Sequence, residues 1–183
     1  MNDKTKKLVI GALLCAFTTV ATMVIKFPTP TFGYIHLGDG LVLLCGIVLG
    51  PIGGALSAGI GSMFADIFAG YASFAPATLI IKALTAALAG FIFHKANGAL
   101  TKKTILSGIP SELLMVFGYF IYEVFLTLLA AQSNSASLFA SAISASAVGI
   151  PFNLMQGIAG IIITLALLPI LTKIHDIREW IFK

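Results

Sequence analysis

Apolar residues along this chain come in long runs, broken by short stretches rich in proline, glycine, serine or lysine. The runs extend for roughly 17 to 25 residues, enough for a helix to cross a ~30 Å hydrocarbon core. They predict helices at about 8–25, 39–49, 54–69, 76–93, 105–131 and 148–171. The first run follows Lys4, Lys6 and Lys7. It is long for a signal sequence and no small-residue cleavage site precedes a soluble domain, so it reads as a retained first helix. Between the first two helices, residues 26–38 are aromatic and include Pro28 and Pro30, which forbid regular helix and favour extended backbone. This external loop suits a lid. Gly50-Pro-Ile-Gly-Gly54 reads as a tight inner turn, and no Gly-Lys-Ser/Thr follows it to make a phosphate loop. Residues 132–146, rich in Ser and Ala, read as an external connection, partly helical and a second candidate lid. The tail from Lys173 is amphipathic and is expected at the membrane interface, with Trp180 as its anchor.

Composition sharpens the class. Of 183 residues 58% are hydrophobic and only 10% charged, and mean hydropathy is +1.04. A soluble domain carries about a quarter charged residues, so the prediction is an all-α integral membrane protein of six transmembrane helices, one domain over 1–183. The net charge of +4 raises nucleic acid as a partner, but its placement argues against that. Lys4, Lys6, Lys7, Lys95, Lys102, Lys103, Lys173, Arg178 and Lys183 all fall on one side if six helices alternate, leaving only Lys26 and Lys82 elsewhere. Positive residues favour the cytoplasmic side, so both termini are expected there. Cys15 and Cys45 lie in apolar runs without metal-ligand spacing and read as small apolar fillers. No metal site is expected.

The candidate chemistry lies where polar groups interrupt these helices. A charge inside a lipid-spanning segment is expensive and normally faces a cavity or a partner. Asp39 opens the second helix, where N-capping and ligand binding are both open readings. Asp66 closes the third against an unfavourable helix dipole, so a compensating partner is expected. Lys82 is about 9 Å deep in the fourth helix. Glu112, Tyr119 and Glu123 follow i, i+7, i+11 spacing along one face of the fifth, and Asn153, Gln156 and Gly160 share a face of the sixth. Glu123 sits at about the depth of Lys82, where an ion pair between them would reduce the cost of each and a ligand could use both. Glu112 lies deeper and is expected to make a structural hydrogen bond. Together Tyr34, His36, Asp39, Asp66, Tyr71, Lys82, Tyr119, Glu123, Asn153 and Gln156 form an expected outer-half set of ligand-binding residues above a dry inner half. That one-sidedness argues for a cup, not a pore, and its mix of rings, donors and acceptors suits a small, flat, heteroatom-rich solute. Two small-residue stripes, Ala12-xxx-Ala16 and Gly54, Ala58, Gly61, Ala65, offer close helix contact. No catalytic residues are expected: pairing His36 with Asp39 or Glu123 lacks any supporting motif such as His-Glu-x-x-His. A stand-alone small-solute carrier or channel remains the alternative, and it predicts flux through this chain alone.

Gly33-Tyr-Ile-His-Leu-Gly-Asp39, Leu49-Gly-Pro-Ile-Gly-Gly54, Ala65-Asp66 and Phe74-Ala-Pro-Ala-Thr78 with Lys82 resemble the substrate-binding S component of energy-coupling factor (ECF) vitamin transporters. The resemblance spans nearly the whole chain and is nearest to the riboflavin-type and hydroxymethylpyrimidine/pyridoxine-type members, leaning to the latter. It implies a six-helix S-component fold in the bacterial cytoplasmic membrane and vitamin capture at the outer side. It also implies partners: a membrane scaffold (T) subunit and two ATPase (A) subunits, with ATP used by those partners and no cofactor in this chain. A small-residue motif in the family's first helix docks on the scaffold, and Ala12-xxx-Ala16 matches it.

Overall fold

The computed structural model describes residues 2–31, 33–131 and 136–182. Phe32 of the expected lid, residues 132–135 of the expected connection and Lys183 of the basic set lie outside the described residues. Among the described residues, seven helices and one small hairpin follow in the order α1 (Asp3–Val24), β1 (Lys26–Pro28), β2 (Tyr34–His36), α2 (Asp39–Ala69), α3 (Ala75–Lys95), α4 (Leu100–Ala131), α5 (Ala136–Ala147), α6 (Ile150–Leu171) and α7 (His175–Phe182). Five helical stretches among the described residues are long and apolar enough to cross a membrane.

The helix α2 contributes two passes. Its backbone leaves helical geometry at Gly50, with φ 77° and ψ 177°, and resumes at Pro51. Only glycine adopts that φ without strain, and proline is at home in the first turn of the leg that follows. The predicted five-residue turn thus shrinks to one residue. The reversal is sharp enough that a Cβ on Gly54 would lie 2.6 Å from the Gly46 nitrogen, and one on Gly90 3.0 Å from the Gly46 carbonyl carbon. Three backbones therefore meet where no side chain fits. With α1, α3, α4 and α6, the two legs of α2 make six passes, and α1 lies beside the second leg where Thr19 Oγ1 donates to the Gly61 carbonyl at 2.8 Å.

The remaining differences from expectation are local. Asn2 caps α1 by accepting from the Thr5 amide at 2.9 Å, so that helix starts five residues early. Pro110 lies inside α4 without ending it, and the gap expected between the helices at 76–93 and 105–131 contracts to residues 96–99. The proline-bearing loop is extended as expected and forms an antiparallel pair, Lys26 opposite His36 and Pro28 opposite Tyr34. The connection after α4 contains the 12-residue helix α5.

The apolar core divides into two. The larger cluster, with Leu14, Val42, Leu44, Ile47, Phe93 and Leu168, fills the end of the bundle that holds both termini. Trp180, Ile177 and Ile181 of α7 belong to it. The tail is therefore no interfacial anchor: Trp180 is buried, donates to Asp3 at 3.3 Å and lies under Lys7. An amphipathic helix buries its apolar face on whatever apolar surface is nearest, and here that is the open base of the bundle. Lys6 ties the tail down through Asp176 at 2.6 Å. The smaller cluster, Phe74, Ile81, Met115, Val116 and Tyr119, lies toward the opposite end, between α3 and α4.

Candidate functional site

Two tiers of polar residues occupy the end of the bundle that carries the hairpin. The lower tier is a closed network. Asp39, at the start of α2, pairs with Lys82, two turns into α3, and both side chains are fully buried. The second oxygen of Asp39 accepts from Gln156 Nε2 at 2.7 Å. Gln156 Oε1 accepts from the His36 amide at 2.9 Å, and His36 Nδ1 accepts from the Gly38 amide at 3.0 Å. The Lys82 ammonium also stands 5.2 Å from the Tyr119 ring centre. A buried ion pair holds best when further hydrogen bonds support it, and here Gln156 of α6, itself fixed by the hairpin, supports the carboxylate while the Tyr119 ring faces the ammonium. An imidazole nitrogen that accepts from an amide is unprotonated. Burial accordingly lowers the His36 pKa to about 4, with Lys82 adding to the effect and Asp39 opposing it.

The upper tier is a chamber of about 370 Å³, its mouth included. Thr29, Gly33, Tyr34 and His36 of the hairpin roof it, while Asp66, Phe74, Thr78, Tyr119, Glu123, Asn153 and Gln156 form its walls and floor. Tyr34 donates to Asp66 Oδ1 at 2.7 Å, which supplies the expected partner at the unfavourable end of α2. Burial, followed by the nearby Asp66 carboxylate, pushes the Tyr34 phenol above its ordinary pKa, so it remains a donor. Its ring packs on Tyr71 at 4.5 Å and His36 at 5.5 Å, with Lys26 5.9 Å from the Tyr34 and Tyr71 ring centres. Thr31 Oγ1 donates to Glu123 Oε1 at 3.1 Å, and Thr78 and Tyr119 share a hydrogen bond of 3.1 Å. Asp66 Oδ2 and Glu123 Oε2 are buried without a partner. Unsatisfied buried carboxylate oxygens are rare, and in a chamber wall they are acceptors ready for a donor.

Seven of the ten residues expected to bind ligand line this chamber: Tyr34, His36, Asp66, Tyr119, Glu123, Asn153 and Gln156. Tyr71 stands behind Tyr34, and Asp39 and Lys82 lie under the floor. The expected Lys82–Glu123 pair does not form. Lys82 turns to Asp39, and Glu123 turns to the hairpin. Asp39 is not a capping residue either: Gly38 occupies the N-cap, without a side-chain bond. The structural hydrogen bond expected of Glu112 is also missing, since neither of its oxygens has a partner, although the side chain is buried. Thr29, Gly33, Phe74 and Thr78 were not among the expected residues. Thr78 was within reach of sequence reasoning, because it stands one helical turn before Lys82 on the same face. Ala12 and Ala16 are exposed on α1, while Gly11 and Leu14 face inward. Cys15 and Cys45 are free thiols, Cys45 buried in the core.

Comparison with known proteins agrees with this geometry. The family described as ECF-type riboflavin transporter, S component, matches residues 2–173. A Pyrococcus woesei chain described as an uncharacterized protein in the gap 3' region is 37% identical over 105 residues, 55% of this chain and 67% of that one. A solved structure described as the S component of a bacterial ECF transporter superposes with a TM-score of 0.72, over 93% of this chain and 97% of that one. At 24% identity that likeness speaks for the fold.

Proposed function

The chain belongs to the ECF-type riboflavin transporter S-component family, and from that premise we propose that it captures a flat, hydroxyl-bearing heteroaromatic vitamin in the chamber beneath the β1–β2 hairpin. It is thus a multi-pass cytoplasmic-membrane protein, the substrate-binding subunit of a transporter and not an enzyme. The observation that carries the proposal is the chamber itself: rings at Tyr34, Phe74 and Tyr119, free acceptors at Asp66 and Glu123, and amides at Asn153 and Gln156, above a sealed base. Rings stack on a planar solute while the carboxylates accept from its hydroxyl or N–H groups.

A single-ring vitamin of the hydroxymethylpyrimidine or pyridoxine type is the first reading, because its hydroxyls match the free acceptors at Asp66 and Glu123 in a chamber that the hairpin closes down tightly. Riboflavin is the second reading, favoured by the family description, and it requires the hairpin to lift. Mass spectrometry of the molecule that co-purifies, followed by calorimetry with all three vitamins, separates the two. Absence of affinity for any of them overturns the chamber's assignment.

Delivery is assigned to partners. The exposed Ala12–Ala16 face of α1 would receive a helix of a membrane scaffold subunit, with two ATPases supplying energy and the basic end of the bundle toward the cytoplasm. An Ala16→Trp variant is expected to bind vitamin normally and to lose uptake in cells that carry the partners. Uptake at the parental rate removes this face from the interface.

A further inference from the structure

A groove runs between α1 and the second leg of α2 at the end of the bundle away from the chamber. It encloses about 1060 Å³, open side included, and is lined by Leu8, Ala12, Leu49, Leu56 and Ile60, with Lys4 and Lys7 at one end. We propose that it holds one anionic phospholipid of the leaflet on the terminal side, with its headgroup on Lys4 and Lys7 and an acyl chain along the groove. The inference concerns the chain without its partners, because Ala12 both lines this groove and belongs to the face assigned to the scaffold subunit; it rests on the membrane-spanning reading and is independent of the chamber.

Three observations favour that occupant. The first is charge. Lys6, between the two lysines, is neutralised by Asp176, whereas among the described residues neither Lys4 nor Lys7 has a carboxylate partner. Lys7 instead lies 5.3 Å from the ring centre of Trp180, which steadies its stem near the groove mouth. The second is length. From Lys4 to Cys15 the groove follows eleven residues of α1, about 16 Å at the helical rise, and half of a ~30 Å hydrocarbon core is about 15 Å. The third is its closed upper end. Above Cys15 the two helices meet, since Thr19 donates to the Gly61 carbonyl at 2.8 Å and a Cβ on Gly61 would lie 2.5 Å from the Cys15 carbonyl oxygen. A partner helix crossing the whole bilayer would need a furrow of full height. A single acyl chain fits one that ends at mid-membrane, apolar along its length and cationic only at its mouth.

The test uses the full chain in nanodiscs of phosphatidylcholine with a minor fraction of phosphatidylglycerol, and native mass spectrometry of the lipid retained after extraction. Phosphatidylglycerol is expected to be retained about ten-fold or more over phosphatidylcholine, given roughly 1 kcal/mol for each basic residue at an anionic headgroup. In the Lys4→Ala/Lys7→Ala double variant that preference falls to parity, while the exposed pair Lys102→Ala/Lys173→Ala leaves it intact. A preference that survives in Lys4→Ala/Lys7→Ala, or that both double variants lose equally, overturns the site. So does a second copy of the chain retained in place of lipid. Vitamin affinity read on the same samples reports on the chamber alone, so failure of either reading is separable from failure of the other.

Discussion

The two acidic tiers under the hairpin differ in one respect, and that difference assigns their roles. Asp39 uses both oxygens, one on Lys82 and one on Gln156, in a place with no solvent. Asp66 and Glu123 use one oxygen each and leave the other buried and unpartnered. The Asp39 carboxylate, committed through both oxygens, has little left to offer a ligand, and its network holds three helices and the hairpin in register. A half-saturated carboxylate is the opposite: marginal for the empty protein and ready for a donor. Position along the helices gave both tiers a similar expected depth, so position alone does not mark a binding residue. Spare hydrogen-bonding capacity in the chamber wall does, and it separates Asp66 and Glu123 from the equally unpartnered Glu112 outside that wall.

The largest expected effect tests the saturated tier. Lys82→Ala strands the Asp39 charge in a dry interior, and breaking a buried pair in this way costs about 3–5 kcal/mol. Thermal unfolding in detergent should show a large loss of stability. An Asp39→Leu/Lys82→Met double variant, which removes both charges, should recover most of it. If the double variant is as unstable as the single one, the pair is not what holds the helices, and the contrast between the tiers fails.

Acid should act on the same tier through His36. Its pKa in the folded protein is about 4, against about 6.5 in the unfolded chain. Above pH 6.5 both states are neutral and stability is flat. Between 6.5 and 4 only the unfolded chain takes up the proton, so stability falls by about 1.4 kcal/mol for each pH unit. Below 4 the folded ring also protonates and the decline levels off. Unfolding midpoints measured from pH 7 to 4 check this, and a His36→Gln variant should flatten the profile in that window. A profile unchanged by His36→Gln assigns the acid sensitivity elsewhere.

The upper tier should behave in the reverse way. Glu123→Gln and Asp66→Asn are each expected to weaken vitamin binding ten-fold or more, about 1.4 kcal/mol, and to leave the unfolding midpoint nearly unchanged. Calorimetry and thermal unfolding on the same preparations give both readouts. A loss of stability matching that of Lys82→Ala would merge the two tiers into one structural network.

Much of this arrangement was legible in the residues, and what was not has a physical reason. The apolar runs, the reversal at Gly50 and the extended proline loop follow from local rules of length and backbone geometry, and all appear. One-sided polarity is also a local matter, because position along a helix sets height in the bilayer. What height does not set is azimuth. Lys82 and Glu123 share a depth, yet the Gly46–Gly54–Gly90 contact packs α3 onto α2, which turns Lys82 toward Asp39. The apolar face of α7 was equally readable, but its target was not: bilayer and bundle base are both apolar, and only the closed structure shows Trp180 inside. Thr29 and Gly33 entered the chamber through strand pairing, which two three-residue segments with prolines do not announce.

The smallest effect probes the hinge between the tiers. Tyr34 bonds through its hydroxyl to Asp66 at 2.7 Å, as Thr31 does to Glu123 at 3.1 Å, while its neighbour two residues on, His36, is held by the lower tier through Gln156. Tyr34→Phe removes that single hydroxyl and retains the ring against Tyr71. The lost hydrogen bond to a charged group is worth about 1.5 kcal/mol, and the lower tier still anchors the hairpin at His36. The expected result is therefore kinetic: vitamin exchange, followed by stopped-flow fluorescence, accelerates several-fold while the unfolding midpoint moves little. Should exchange remain at the parental rate, the roof is fastened by the lower tier and the Thr31–Glu123 bond, and Asp66 is left as a carboxylate that waits only for ligand.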